Sequence, residues 1–334
     1  MQTSQKNQNG VILQPGAIGD CILTLPLAEF MKESLALDTI DIIGHSEYID
    51  ILPTRTCINR AFSMDSLQLH RLFSDDKSFS LLPNDPLIKT FEHYDWIITF
   101  LGAPDSSFEK NLIFTAYCSH SADVITLQMK PAAEHSSHLT QFYIKQFVGQ
   151  CHIPLTYNQP QSGKRLIKAG KTDINRGRQL LKSLDISGTE KPVVIQPGSG
   201  GTHKCWHLDN FLAVAKKLSA KGINVVFLLG PAELDRLTDT AVKGIDKIAK
   251  CLKNPLLVDV IGLLSCSAGY IGNDSGITHL AAALGVKTIV VFGPTDPALY
   301  GPIGPQVKVF TDNNEAFATA PSQKLRRQII AALT

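Results

Sequence analysis

The chain has 334 residues, 44% hydrophobic and 19% charged, which is enough apolar material for two cored domains and excludes a disordered or fibrous polymer. No stretch approaches the roughly 18 apolar residues of a membrane span, and the opening MQTSQKNQNG has neither a basic nor an apolar leader region, so a cytoplasmic protein is expected. The net charge of +2 hides an asymmetry: residues 1–150 carry 10 Lys and Arg against 17 Asp and Glu, and the remainder 22 against 13, which directs an anionic ligand to the second half.

From the N-terminus, an apolar strand at 10–14 ends in Gln14-Pro15-Gly16. A helix follows through 21–35, with Asp20 as its cap and Ile22, Leu25, Leu27, Phe30 and Met31 for its buried side. Strands are expected at 40–43, 96–100 and 124–126. Residues 64–93 carry Pro83, Pro86 and several charges and read as irregular, and a helix at 136–150 leads to a polar linker at 152–163. That linker sets the expected boundary between domains 1–160 and 161–320. Beyond it come a helix at 173–184, a strand at 193–196, a helix at 209–220, a strand at 224–229, a helix from Pro231 to about 242 and a helix at 255–266. A short strand at Tyr270 and Ile271 then meets a small-residue turn, a helix at 277–284 stopped by Gly285, and a strand at 288–292. A terminal helix spans 321–334.

Val193-Val194-Ile195-Gln196-Pro197-Gly198 echoes the opening strand and turn in the same strand, loop and helix context. Two doubly wound α/β domains are therefore expected, with ligands at the carboxyl ends of the strands.

Four loops have the residue types for chemistry. Pro197-Gly198-Ser199-Gly200-Gly201-Thr202-His203-Lys204 combines glycines, whose N–H groups can approach a phosphate, with an ammonium. It meets neither the Walker nor the dinucleotide spacing, and a flexible glycine loop with a solvated lysine is the plainer alternative. Gly16-Ala17-Ile18-Gly19-Asp20 is its counterpart, ending in a carboxylate that suits a proton acceptor or an ordinary helix cap. Glu233 and Asp274 stand at helix starts after buried strands, where a carboxylate either caps the helix or accepts hydrogen bonds from a sugar diol. His279, one turn beyond Asp274-Ser275-Gly276, is a core histidine or a ligand. The seven cysteines show no metal spacing, no D-x-D motif occurs, and no dense basic run suggests nucleic acid.

Together these segments resemble glycosyltransferase family 9, the heptosyltransferases of lipopolysaccharide core synthesis. The matching pieces are PGAIGDCILTLPLAEFMKESL, HYDWIITFLG, QPGSGGTHKCW, LLGPAE and GNDSGITHLAAALGVKTIVVFGPTDP. The resemblance implies a GT-B fold of two Rossmann-like domains with parallel sheets facing across a cleft, the first on the acceptor side, with the terminal helix packing back on it, and the second binding the donor. It implies Asp20 as general base, with Gly16, Ala17, Ile18 and Gly19 as the acceptor-side loop. Lys204 would hold the donor's diphosphate or ribose, with Ser199, Gly200 and Gly201 on the phosphates, Glu233 in the nucleotide pocket, and Asp274, Ser275, Gly276 and His279 in the donor loop. The implied donor is ADP-heptose, the acceptor a saccharide or lipid-linked saccharide, and no metal or other cofactor is obligatory. Peripheral contact with the inner face of the cytoplasmic membrane follows only from the family's lipid-linked acceptors.

Gln14 departs from the basic residue common there, and His207 from the usual proline. The acidic first half points to a less charged acceptor than the family's phosphorylated ones. The alternatives are a nucleotide-sugar epimerase of the same architecture and a non-catalytic nucleotide-sugar-binding protein.

Overall fold

Short runs of β-branched and aliphatic residues build two parallel sheets. The computed structural model describes residues 8–75, 77–155, 163–186, 190–312 and 314–333. The chain divides into units Met1–Pro160 and Gln161–Thr334. Residues 156–162, most of the expected linker, lie outside the described residues.

The first unit runs β1 (Asn9–Gln14), α1 (Ile18–Ser34), β2 (Thr39–Gly44), α2 (Ser46–Ile49), β3 (Ala61–Ser63), α3 (Pro86–Phe91), β4 (Trp96–Thr99), α4 (Ser107–Tyr117), β5 (Asp123–Thr126) and α5 (Leu139–Gln150). Its sheet has the order β3-β2-β1-β4-β5, with Ile12 of β1 in register with Ile42 on one side and Ile98 on the other. Val11, Ile12 and Leu13 are all fully buried, as a strand covered by helices on both faces requires. Leu13, Ile43, Phe91, Ile97, Phe108 and Leu112 belong to one core cluster.

The second unit runs α6 (Lys171–Ser183), β6 (Val193–Gln196), α7 (Leu208–Ser219), β7 (Val225–Leu229), α8 (Pro231–Arg236), α9 (Asp239–Asp246), β8 (Lys250–Lys253), α10 (Leu257–Ser265), β9 (Gly269–Asn273), α11 (Gly276–Ala283), β10 (Thr288–Phe292), α12 (Pro297–Tyr300), β11 (Val307–Thr311) and α13 (Gln323–Leu333). Its sheet order is β11-β10-β9-β6-β7-β8. Both sheets wind outward from a central first strand and reverse at its far neighbour. The switch points, β1 against β4 and β6 against β9, lie where Gln14 and Gln196 end their strands.

Several elements differ from expectation. Helix α1 starts at Ile18 with Ala17 as its N-cap residue, so Asp20 lies in its first turn and caps it from there by accepting the Ala17 N–H. The single helix expected after Gly230 is two, because Thr238 begins α9 by accepting the Ala241 N–H at 3.2 Å. Strands β8 and β11 escape the sequence pattern because they are sheet edges with partly exposed residues, including Lys250, Lys253 and Lys308. Helix α4 is likewise an addition, capped by Ser106 and anchored by Phe108 and Leu112. Gly285 does end α11, with φ of +76°.

Helix α13 lies against α7, and Leu325 and Ile329 join Trp206, Phe211 and Phe227 in the second unit's own core. Its apolar residues at one-turn spacing find their burial there. Among the described residues no helix is long and apolar enough to cross a membrane.

Candidate functional site

In the first unit the turn after β1 is held from below by a buried amide. Gln14 Nε2 donates to Thr24 Oγ1 at 2.7 Å, Gln14 Oε1 accepts the Gly16 N–H at 2.8 Å, and Thr24 Oγ1 donates to the Asp20 carbonyl at 2.8 Å. Gln14, where the family commonly has a basic residue, is thus spent on shaping the loop. Asp20 is half-buried, and its Oδ2 accepts the Ala17 N–H at 3.1 Å. A Cβ on Gly16 would lie 2.6 Å from that of Asp20, so the close approach of turn and carboxylate demands glycine. Ala17 is exposed, Gly19 half-buried, and Ile18 buried as an anchor.

In the second unit the loops after β6 and β9 are tied together. Asn273, fully buried, donates from Nδ2 to the Pro197 carbonyl at 2.7 Å and accepts the Trp206 N–H at 2.9 Å. The Ser199 hydroxyl is donated to the Asp274 carbonyl, so this buried serine joins the two loops, while Gly200, Thr202 and His203 of its own loop are exposed. Gln196 is the hub beneath them. Its Nε2 donates to Glu233 Oε1 at 3.0 Å, and its Oε1 accepts Tyr270 Oη at 2.8 Å and Ser275 Oγ at 2.9 Å. Burial drives the Tyr270 hydroxyl well above its ordinary pKa, keeping it a neutral donor. Ser275 also caps α11 by accepting the Thr278 N–H, which places the helix's positive end beside Gly276.

Glu233 is 4% exposed. Its Oε2 accepts the Gly230 N–H at 2.7 Å while Oε1 takes the Gln196 amide, so it caps α8. A Cβ on Gly198 would lie 1.9 Å from Glu233 Oε1. Gly198, Trp206, Glu233 and Arg236 are among the residues around a small pocket of about 160 Å³.

The electrostatic centre is Lys204 with Asp274. Lys204 Nζ lies 2.8 Å from Asp274 Oδ2, which also accepts the Thr295 hydroxyl at 2.9 Å, and His279 Nε2 stands 3.9 Å from Oδ1. Burial of the Asp274 carboxyl opposes ionisation, yet the neighbouring His279 imidazole and Lys204 ammonium more than offset it and hold the pKa down to about 2. Lys204 is therefore no solvated lysine: its charge is shared with a buried carboxylate, and an incoming anion must share it too. His279 is buried, with Nδ1 making no hydrogen bond among the described residues.

Sequence reasoning missed four contributors. Gln196, Asn273 and Thr295 look like ordinary strand-end and turn residues, and their hydrogen bonds run to positions distant in the chain. Arg236 was equally inconspicuous, yet it donates to the carbonyls of Ser199 and Gly200. His207, in place of the usual proline, caps α7 through Nδ1. Beside Thr295, the loops after β10 and β11 bound an open cleft of about 1170 Å³ whose lining includes Thr202, His203, Asp296 and Phe317.

Residues 126–329, more than half the chain, match the family described as Glycosyltransferase family 9 (heptosyltransferase). Over 306 residues, 85% of this chain and 82% of the relative, the sequence is 24% identical to lipopolysaccharide heptosyltransferase 3 of Escherichia coli strain K12. Among solved structures, the glycosyl transferase family 9 protein of Veillonella parvula DSM 2008 is similar with a TM-score of 0.71 at 16% identity, covering 97% of this chain and 95% of that one. The E. coli heptosyltransferase WaaC with ADP gives 0.66 at 18% identity, covering 98% and 100%. The fold is that of the GT-B class, two Rossmann-like units.

Proposed function

The chain belongs to glycosyltransferase family 9, the heptosyltransferases, and we propose that it transfers a heptose from ADP-heptose, with inversion and without a metal, to a hydroxyl of a saccharide or lipid-linked acceptor of the lipopolysaccharide core type. The observation that carries this reading is the exposed Gly200 loop, joined through Ser199 and Lys204 to the Asp274 loop at the second sheet's switch point. Glycine N–H groups, the positive end of α11 and an ammonium converge on the loops that would receive a diphosphate. That WaaC was solved with ADP supports the choice of donor.

Asp20 takes the proton of the acceptor hydroxyl. The acceptor oxygen forms its bond to the anomeric carbon as the bond from that carbon to the diphosphate oxygen breaks. The bonding pair leaves with the nucleoside diphosphate, whose charge is met by Lys204 and the loop N–H groups. Asp274 then keeps Lys204 oriented between turnovers and offers its carboxylate to a sugar hydroxyl. The acidic first half, 10 basic against 17 acidic residues, favours an acceptor with few phosphates.

The reading is tested by thermal shift with ADP-, UDP- and GDP-sugars, followed by transfer assays to phosphorylated and dephosphorylated core acceptors. A shift with ADP-heptose and product only when acceptor is present are expected. Interconversion of the donor sugar without acceptor would replace transfer by epimerisation, and strong preference for a heavily phosphorylated acceptor would overturn the charge argument.

A further inference from the structure

Arg236 ends α8 and is exposed, yet its guanidinium is committed at both tips. Nη1 donates to the Ser199 carbonyl and Nη2 to the Gly200 carbonyl, each at 2.6 Å. The two acceptors belong to consecutive peptide units. In a trans peptide the N–H points opposite to the C=O, and no cis peptide occurs among the described residues. Turning both carbonyls onto Arg236 therefore turns the N–H groups of Gly200 and Gly201 away from α8.

Neither N–H makes a hydrogen bond among the described residues. A Cβ built on Gly200 would meet nothing within 4 Å, so the loop opens onto space there. Two adjacent donors without partners, with open space beside Gly200, suit an anion of two linked phosphates. The planar fork of arginine fits two neighbouring carbonyls at once, which the single ammonium of lysine cannot reproduce. Without the clamp, a Ser-Gly-Gly segment has wide backbone freedom and must lose it on binding.

We propose that Arg236 is a positioning residue for the donor's diphosphate: by holding the Ser199 and Gly200 carbonyls it presets the N–H groups of Gly200 and Gly201 toward the phosphates. The proposal rests on the reading of this loop as the diphosphate site. It also explains how a loop whose lysine is already engaged by Asp274 keeps an anion-binding surface.

The test is calorimetric binding of ADP, inorganic pyrophosphate and adenosine to the wild type, R236M and R236K. Arg236 lies on the surface, so both variants should keep the wild-type melting temperature within a few degrees. R236M is expected to weaken ADP and pyrophosphate about tenfold, ~1.4 kcal/mol, and to leave adenosine unchanged. R236K should recover less than half of the loss, since it restores charge without the fork. Unchanged ADP affinity in R236M, or equal weakening of ADP and adenosine, overturns the proposal. Full recovery in R236K would leave only a charge effect and overturns the clamp. Absence of ADP and pyrophosphate binding in the wild type itself would instead remove the functional reading, and this inference with it.

Discussion

Replacing Lys204 by methionine probes the electrostatic centre of the second unit. The Asp274 side chain is 8% exposed and has Lys204 at 2.8 Å and the Thr295 hydroxyl at 2.9 Å. Burial, the largest influence, works against its charge, but His279 and Lys204 bring its pKa from 3.8 down to about 2. A depressed folded-state pKa contributes stability that is present above pH 3.8 and is lost as the pH falls through about 2. At 1.36 kcal/mol per unit this is about 2 kcal/mol at neutral pH. Without Lys204 the burial of Asp274 is opposed mainly by His279 and Thr295. Lys204→Met should then cost about 2 kcal/mol, less than the 3–5 kcal/mol of a fully buried pair because the lysine side chain is 31% exposed. Urea unfolding at pH 7 measures the loss. The gap to wild type should narrow as the pH is lowered toward 4, because the unpaired carboxyl then takes up a proton and its burial no longer costs. In a double-mutant cycle with Asp274→Asn, the double variant should be less destabilised than the sum of the singles by about 2 kcal/mol. Additive single effects, or a gap that stays constant with pH, would refute the coupling.

Asp20→Asn should reduce turnover by a factor of about 10² to 10⁴ while leaving donor affinity unchanged, since only proton transfer is removed; single-turnover kinetics with calorimetry of ADP separates the two, and a weakened donor instead would contradict the assigned role. Gln14→Leu leaves the Gly16 N–H and the Thr24 hydroxyl short of a partner, so a loss of about 1–3 kcal/mol in chemical denaturation is expected, with reduced turnover as the Asp20 loop loosens. Gly198→Ala drives a methyl group to 1.9 Å from Glu233 Oε1 and should cost about 1–3 kcal/mol and weaken donor binding. Gly244→Ala, in the interior of α9 with nothing within 4 Å of the new methyl, should instead raise stability by about 0.5–1 kcal/mol. A melting temperature lowered by this last change would contradict the open environment of the α9 face.

What the amino-acid sequence determined by itself was the local grammar. Continuous apolar runs such as Val193–Gln196 and Thr288–Phe292 declared doubly covered strands, because a strand buried on both faces needs no alternation. Small-residue turns marked the strand ends, and the order of the motifs carried the family. The second half's basic excess and the positions of Lys204, Glu233 and Asp274 were legible for the same reason: they are set by neighbours in the chain.

The tertiary structure alone decided what those residues do to one another. Lys204 meets Asp274 across 70 residues, Gln196 meets Ser275 across 79, and Arg236 reaches Ser199 across 37; no periodicity encodes such pairs, which arise because parallel strands bring the β6, β7 and β9 loops to one edge. The edge strands β8 and β11 stayed hidden because half-exposed strands lose the apolar signal. The terminal helix was likewise ambiguous, since an amphipathic face at 323–333 specifies that something covers it, not which core. Burial is a property of the assembled sheet, and it turned a basic residue and an acidic residue, each unremarkable alone, into a single ionised pair.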